Sequence, residues 1–184
     1  PGAMNAAHAL HIAQHDSVPL ILFVGQVERG MRGRGAFQEM DFGAVFGSIA
    51  KYCVEIDDPA RIPEIVARAF HVAMSGRPGP VVVSLPEDML VEQASVSDCA
   101  RVERTEISPG GIELDKLHEL LAGAKRPIAI LGGGGWDAKA CMDFERFAQR
   151  YDLPVVASFR RTSLFDMEHA NYAGELALGA NPKL

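Results

Sequence analysis

The sequence is short of the features that mark several large protein classes. Its three cysteines, Cys53, Cys99 and Cys141, are odd in number and far apart among 184 residues. They give neither a paired disulfide framework nor a Cys-x-x-Cys metal half-site, and read as buried or incidental thiols. Basic residues are outnumbered, 18 Lys and Arg against 24 Asp and Glu, for a formal charge of −6 with both signs interspersed. No basic field is present to neutralise a phosphate backbone, so nucleic acid is not an expected partner. Apolar runs are short and broken by Gly and Pro, and none could cross a bilayer. A basic-then-apolar leader is also absent, which leaves the cytoplasm as the default location. The sequence opens at Pro1 without an initiator Met and is expected to be a segment of a longer protein.

What is present is a core-forming composition, 48% hydrophobic, with an alternating order of elements. An Ala-rich helix over 5–14 stops before Pro19. The run Leu20-Ile21-Leu22-Phe23-Val24 between Pro19 and Gly25 then fits a strand buried on both faces. A Gly- and Arg-rich loop over 25–35 follows, then a helix over 41–50, an extended stretch over 52–56, and a helix to about Met74 that Asp58-Pro59 can cap. Val81 to Leu85 reads as the next buried strand. Periodicity fades between Glu87 and Pro109, which marks a linker. A second unit follows: helix 114–122, strand 127–131, the glycine run Gly132 to Gly135, helix 138–151 and strand 154–157. The fold class expected is α/β, with parallel-sheet layers and flanking helices in two partial domains joined by an extended linker.

Several residue groups invite a chemical reading beside a plain one. Gly132-Gly133-Gly134, between a strand and a helix, would let a backbone approach a phosphate. The full GxGxxG spacing fails at Asp137, so a tight structural turn stays open beside a nucleotide site. His8, His11 and His15 fall along one side of a helix, but further ligands at sensible spacing are missing, and no metal ligand is assigned. Arg29, Arg32 and Arg34 could receive an anion or simply belong to a solvated loop. Glu39 and Asp41 read as acids at the start of a helix, where the dipole favours them.

Four stretches, taken in order and spacing, resemble one family. They are Pro1-Gly2-Ala3-Met4-Asn5; Asp16-Ser17-Val18-Pro19-Leu20 running to Gly25; Ala36-Phe37-Gln38-Glu39; and Gly76-Arg77-Pro78-Gly79-Pro80-Val81 ending in Leu85-Pro86-Glu87-Asp88. Together they are similar to the second half of the pyrimidine-binding domain of thiamine-diphosphate-dependent enzymes of the acetolactate synthase, pyruvate oxidase and benzoylformate decarboxylase type. The second unit, with its glycine turn and Asn171-Tyr172-Ala173-Gly174, resembles the family's central domain. The resemblance divides the chain into 1–88, the C-terminal half of the pyrimidine-binding domain; 89–111, a linker; and 112–184, the N-terminal part of a central Rossmann-like domain.

The resemblance implies roles residue by residue. Pro1, Asn5 and Gln38 take the places that hold the pyrimidine ring of thiamine diphosphate, and Phe37 can shield the reactive carbon from water. Gln38 is the one position here with an implied supporting role in catalysis. Flavin contacts map onto Arg77, Gly132, Gly133, Gly134, Ser158 and Phe159, with FAD an optional cofactor, since Arg160 and Arg161 follow the strand and Glu175 stands where an apolar residue often faces the flavin. Glu87 occupies a place that acetolactate synthases commonly fill with a base. The family's activating glutamate is expected before Pro1, and its Gly-Asp-Gly and Asn, which hold Mg²⁺ and the diphosphate, after Leu184; no metal ligand falls within the sequence. The expected parent is a carboligase or decarboxylase acting on a small 2-oxo acid as a homodimer or homotetramer, most nearly acetolactate synthase-like. The alternatives are a thiamine-dependent decarboxylase with another substrate and a non-catalytic nucleotide-binding or subunit-contact module. The segment alone is expected to be inactive.

Overall fold

The computed structural model describes residues 1–182 and 184, in two compact units, Pro1–Glu106 and Ile107–Leu184. In the first unit the elements are α1 (Gly2–Asp16), β1 (Leu20–Gln26), α2 (Phe42–Phe46), β2 (Tyr52–Glu55), α3 (Ile62–Met74) and β3 (Pro80–Pro86). The three strands form a parallel sheet in the order β1-β3-β2. Because successive strand residues point to opposite faces, the central strand divides its valines between two cores. Val81 and Val83 pack with Ile65, Ala69 and Ala73 of α3. Val82 packs instead with Leu10 of α1 and Phe42 and Phe46 of α2. Helices thus cover both faces of β3, which explains its unbroken Val-Val-Val run.

Local chemistry sets the element ends. Ser17 closes α1 in the left-handed conformation at φ 58°, with the Val18 amide returning to the Ala13 carbonyl at 2.9 Å, and Pro19 cannot continue the helix. Asp58 accepts from the Ala60 amide and opens the turn that leads into α3.

Two elements differ from the sequence reading. β1 lies at an edge of its sheet, so Phe23 is 48% exposed rather than buried on both sides. α2 covers five residues, not ten: Gly43 and Gly47 weaken it, and the chain turns away as the Phe46 carbonyl accepts from both Ile49 and Ala50. After β3, Met89–Val91 makes one short turn with Met89 buried, and residues 92–110 carry no helix or strand.

The second unit contains α4 (Gly111–Gly123), β4 (Ala129–Leu131), α5 (Ala138–Arg150), β5 (Val155–Ser158) and β6 (Tyr172–Leu176), its parallel sheet ordered β4-β5-β6. Leu131, Ala148, Leu153, Val155 and Phe165 form its core, ringed by Trp136, Phe144 and Phe147. Asp137 caps α5 by accepting from the Ala140 amide at 2.7 Å. The sequence reading did not include β6. Its pattern is short, interrupted by Gly174 at φ 134°, and its pairing with β5 shifts register between Val155 and Val156. α4 buries none of its side chains. No helix among the described residues is long and apolar enough to cross a membrane.

Candidate functional site

The parallel strands of the first unit end together, and a crevice of about 390 Å³ opens beside their carboxyl ends, the usual place for a ligand in an open α/β sheet. Gln26 from the end of β1, Glu55 from β2, Ser84 from β3, and Arg32, Glu39 and Asp41 from the intervening loop line it. Three of these groups, Ser84, Glu55 and Arg32, are linked in a chain, and Gln26, Glu39 and Asp41 bond to the backbone. The Ser84 hydroxyl donates to Glu55 at 2.8 Å, and Glu55 also pairs with Arg32, which in turn reaches Asp57. Among the described residues, Arg32 Nε is buried without a partner.

Arg29 binds Asp88 at 2.7 Å and also Glu92. Burial would push the Asp88 carboxyl up, but the bonds from Arg29 outweigh it and hold the carboxyl below its ordinary value. Of the three loop arginines, two therefore brace the loop against acidic side chains. A solvated-loop reading misses these pairs because their partners are 23 to 63 residues away.

On the rim of this crevice, Ala36 to Glu39 form a tight turn closed by a 3.0 Å bond from the Glu39 amide to the Ala36 carbonyl. Phe37 and Gln38 form its tip. Phe37 is 88% exposed, and Gln38 is exposed with φ 66°, a conformation that long side chains seldom adopt. The Glu39 carboxylate accepts from the amides of Gly33 and Ala36, which holds its carboxyl below its ordinary value. Asp41 behaves as its position suggested, capping α2 through the Ala44 amide at 2.9 Å. Glu39 does something else, binding the loop behind it.

Pro1 and Asn5 lie in the first turn of α1, linked by a 3.1 Å bond from the Asn5 amide to the Pro1 carbonyl, and both are exposed. Ala3 of that turn and Met40, directly after the Phe37–Gln38 turn, pack on the same core cluster. The structure thereby anchors these two exposed segments on one core. Arg77 sits elsewhere. Its guanidinium donates to the Gln14 and His15 carbonyls, each at 3.1 Å, and to Ser17 Oγ at 2.8 Å, capping the far end of α1. A helix of 15 residues spans about 22 Å, so Arg77 stands well away from Pro1 and Asn5.

In the second unit, Gly132 directly follows β4, beside Ser158 at the end of β5. A Cβ at Gly132 would come within 2.7 Å of Ser158 Oγ. Gly133 and Gly135 have φ of 72° and 93°, and Trp136 Nε1 donates to the Gly132 carbonyl at 3.0 Å. Gly133, Gly134 and Phe159 are exposed around this turn. The turn is thus tight for internal reasons and still leaves an open backbone face.

His11 and His15 approach each other at 3.0 Å between their Nε2 atoms. Among the described residues no group of three or more His, Cys, Asp or Glu could hold a metal ion. Cys53, Cys99 and Cys141 are free thiols, and burial pushes Cys53 up.

Comparison with known proteins gives the architecture a lineage. Residues 1–45 match the thiamine pyrophosphate enzyme N-terminal TPP binding domain, and residues 114–184 match the thiamine pyrophosphate enzyme central domain. The acetolactate synthase large subunit of Parasynechococcus marenigrum (strain WH8102) is 37% identical over 187 residues, an alignment covering 97% of this chain and 30% of that protein. The acetolactate synthase large subunit of Lactococcus lactis subsp. lactis (strain IL1403) is 34% identical, covering 97% of this chain and 31% of its own length. The chain therefore spans about a third of the curated relatives it matches.

A similar fold is seen in the Rhodococcus jostii RHA1 thiamine diphosphate-dependent 4-hydroxybenzoylformate decarboxylase, with TM-score 0.77, 24% identity, and coverage of 95% of this chain and 34% of that one. The two domain matches, in the same order as the two parallel-sheet units, make this chain a segment of the thiamine-pyrophosphate-dependent enzyme family.

Proposed function

We propose that the protein carrying this segment joins or decarboxylates small 2-oxo acids with thiamine diphosphate and Mg²⁺, with acetolactate formation as its main reaction. The observation that carries this is the exposed Phe37–Gln38 tip, fixed on the same core as Pro1 and Asn5, in a chain 31–37% identical to several acetolactate synthases over nearly its whole length. When bound, the cofactor supplies the electron sink for breaking the bond between the carbonyl and carboxylate carbons of the substrate.

The chain's own residues bind and orient. Pro1 gives a rigid apolar wall, Asn5 and Gln38 offer directed donors and acceptors to a pyrimidine, and Phe37 keeps water from the reacting carbon. Their exposure fits such a role, since none is consumed by the core. Mg²⁺ and the diphosphate would take ligands outside this sequence. The family relation supports a homodimer or homotetramer, working in the cytoplasm, with residues 89–111 as the linker between domains 1–88 and 112–184.

In the second unit Gly132, Gly133, Gly134, Ser158 and Phe159 offer an open turn, a hydroxyl and an aromatic ring to a nucleotide, with FAD as the group proposed. The N-terminal amide of α5 at Ala140 is already held by Asp137, so phosphates would meet the glycine backbone rather than that amide. Arg77 as a flavin contact would have to serve while capping α1.

The test is product analysis of the full-length protein with pyruvate, thiamine diphosphate and Mg²⁺. Acetolactate is expected. Release of an aldehyde alone would move the protein to the decarboxylases, and no turnover of any short or aryl 2-oxo acid would leave a nucleotide-binding or subunit-contact module. A purified protein without flavin absorbance would remove FAD.

A further inference from the structure

Gln38 occupies the third position of the Ala36 to Glu39 turn at φ 66°. Turns with positive φ at that corner favour Gly or Asn, because any larger residue brings Cβ against the backbone carbonyl. Such a residue persists only where its surroundings over-determine the conformation. Here the surroundings are specific. One Glu39 oxygen accepts from the Gly33 amide and the other from the Ala36 amide at 3.1 Å, so a single carboxylate ties the start of the turn to the loop before it. Gln26, 8% exposed, fixes the other side by donating to the Met40 carbonyl at 2.7 Å while its own oxygen accepts from Val27.

We propose that Glu39 is a positioning residue that holds Gln38 in its left-handed corner, so that the Gln38 amide and the Phe37 ring project together from the tip. This rests on the reading of Gln38 as a cofactor contact. The role calls for a carboxylate in particular. It has two acceptor oxygens for two amide donors, whereas an isosteric amide would offer one and turn its NH₂ against the other donor.

A double-mutant cycle in the full-length enzyme, using Glu39→Gln, Gln38→Ala and the pair, tests this. Turnover, thiamine diphosphate KM and melting temperature are measured for each. Glu39→Gln is expected to lower kcat on the order of tenfold to a hundredfold, the scale of a misplaced contact, with the melting temperature lowered by only about a few degrees at neutral pH. The double variant should be no slower than Gln38→Ala alone, to within about twofold, since Glu39 acts through Gln38.

Losses that multiply would overturn the role by showing that Glu39 acts independently of Gln38. Should Glu39→Gln fail to fold, Glu39→Asp, with both oxygens on a shorter arm, gives the same cycle and the same two outcomes. A wild-type enzyme lacking thiamine-dependent turnover overturns the functional reading and this role with it. Turnover with multiplying losses overturns this role alone.

Discussion

The Ser158 hydroxyl lies 2.7 Å from the point where any side chain at Gly132 would begin. The ends of β4 and β5 are joined at a contact that only a glycine permits without adjustment, and this proximity builds the proposed nucleotide face. Gly132→Ala should therefore cost about 1 kcal/mol, by forcing Ser158 out of its rotamer. The Ser158→Ala background should recover most of that loss. Denaturant titration of the four proteins checks the coupling, and equal costs in both backgrounds would show that the contact is slack.

Arg77 and Ser17, 2.8 Å apart, give a second prediction. Arg77 satisfies two carbonyls at the end of α1, so Arg77→Ala should lower stability by roughly 1 kcal/mol, read as a lower urea midpoint with unchanged slope. Arg77→Lys should recover only part of it, since an ammonium cannot reproduce the planar set of donors.

Replacing Gln38 with Gly should separate stability from activity. The left-handed corner costs a non-glycine residue about 1–2 kcal/mol, and the added freedom of Gly in the unfolded chain offsets about 0.5–1 kcal/mol of the relief. A net gain of roughly 0.5 kcal/mol is expected, together with a loss of thiamine-dependent turnover. A stability loss would mean that the Gln38 side chain contributes contacts worth more than the strain.

The Glu39 carboxyl is held below its ordinary value of 4.5, first by the Gly33 amide and then by the Ala36 amide. A depressed folded-state pKa gives stability that is present above the unfolded value and lost as pH falls through the folded one. Comparison of wild type with Glu39→Gln should therefore show a difference in melting temperature that is steady above about pH 5 and shrinks below about pH 4. A difference independent of pH across that range would contradict ionised Glu39 as the acceptor.

Much of the fold was legible because its signals are local. The valine run, Asp58 before α3, Pro19 after α1 and the Gly132 to Gly135 punctuation each act within a few residues, and each marks an element that the structure contains. The two units and their parallel sheets follow from the alternation of such segments. The family was legible too, because several short motifs recur in one order.

What the sequence could not fix depends on partners distant along the chain. Whether Leu20 to Val24 is covered on both faces depends on which strand takes the centre, and β3 does. Arg29 and Arg32 read as solvated until the return of residues 55, 57, 88 and 92 brings carboxylates to them. Arg77 lies 60 residues from the Ser17 hydroxyl it meets, and nothing in its own neighbourhood announces that it caps α1. Glu39 is the closest case. Its spacing from Asp41 suggested a shared helix-entry role, but a carboxylate goes to whichever unpaired amides the folded loop presents. Residue types and short spacings determined the elements and the lineage, while hydrogen-bond partners, which need two segments brought within about 3 Å, were decided only by the tertiary structure.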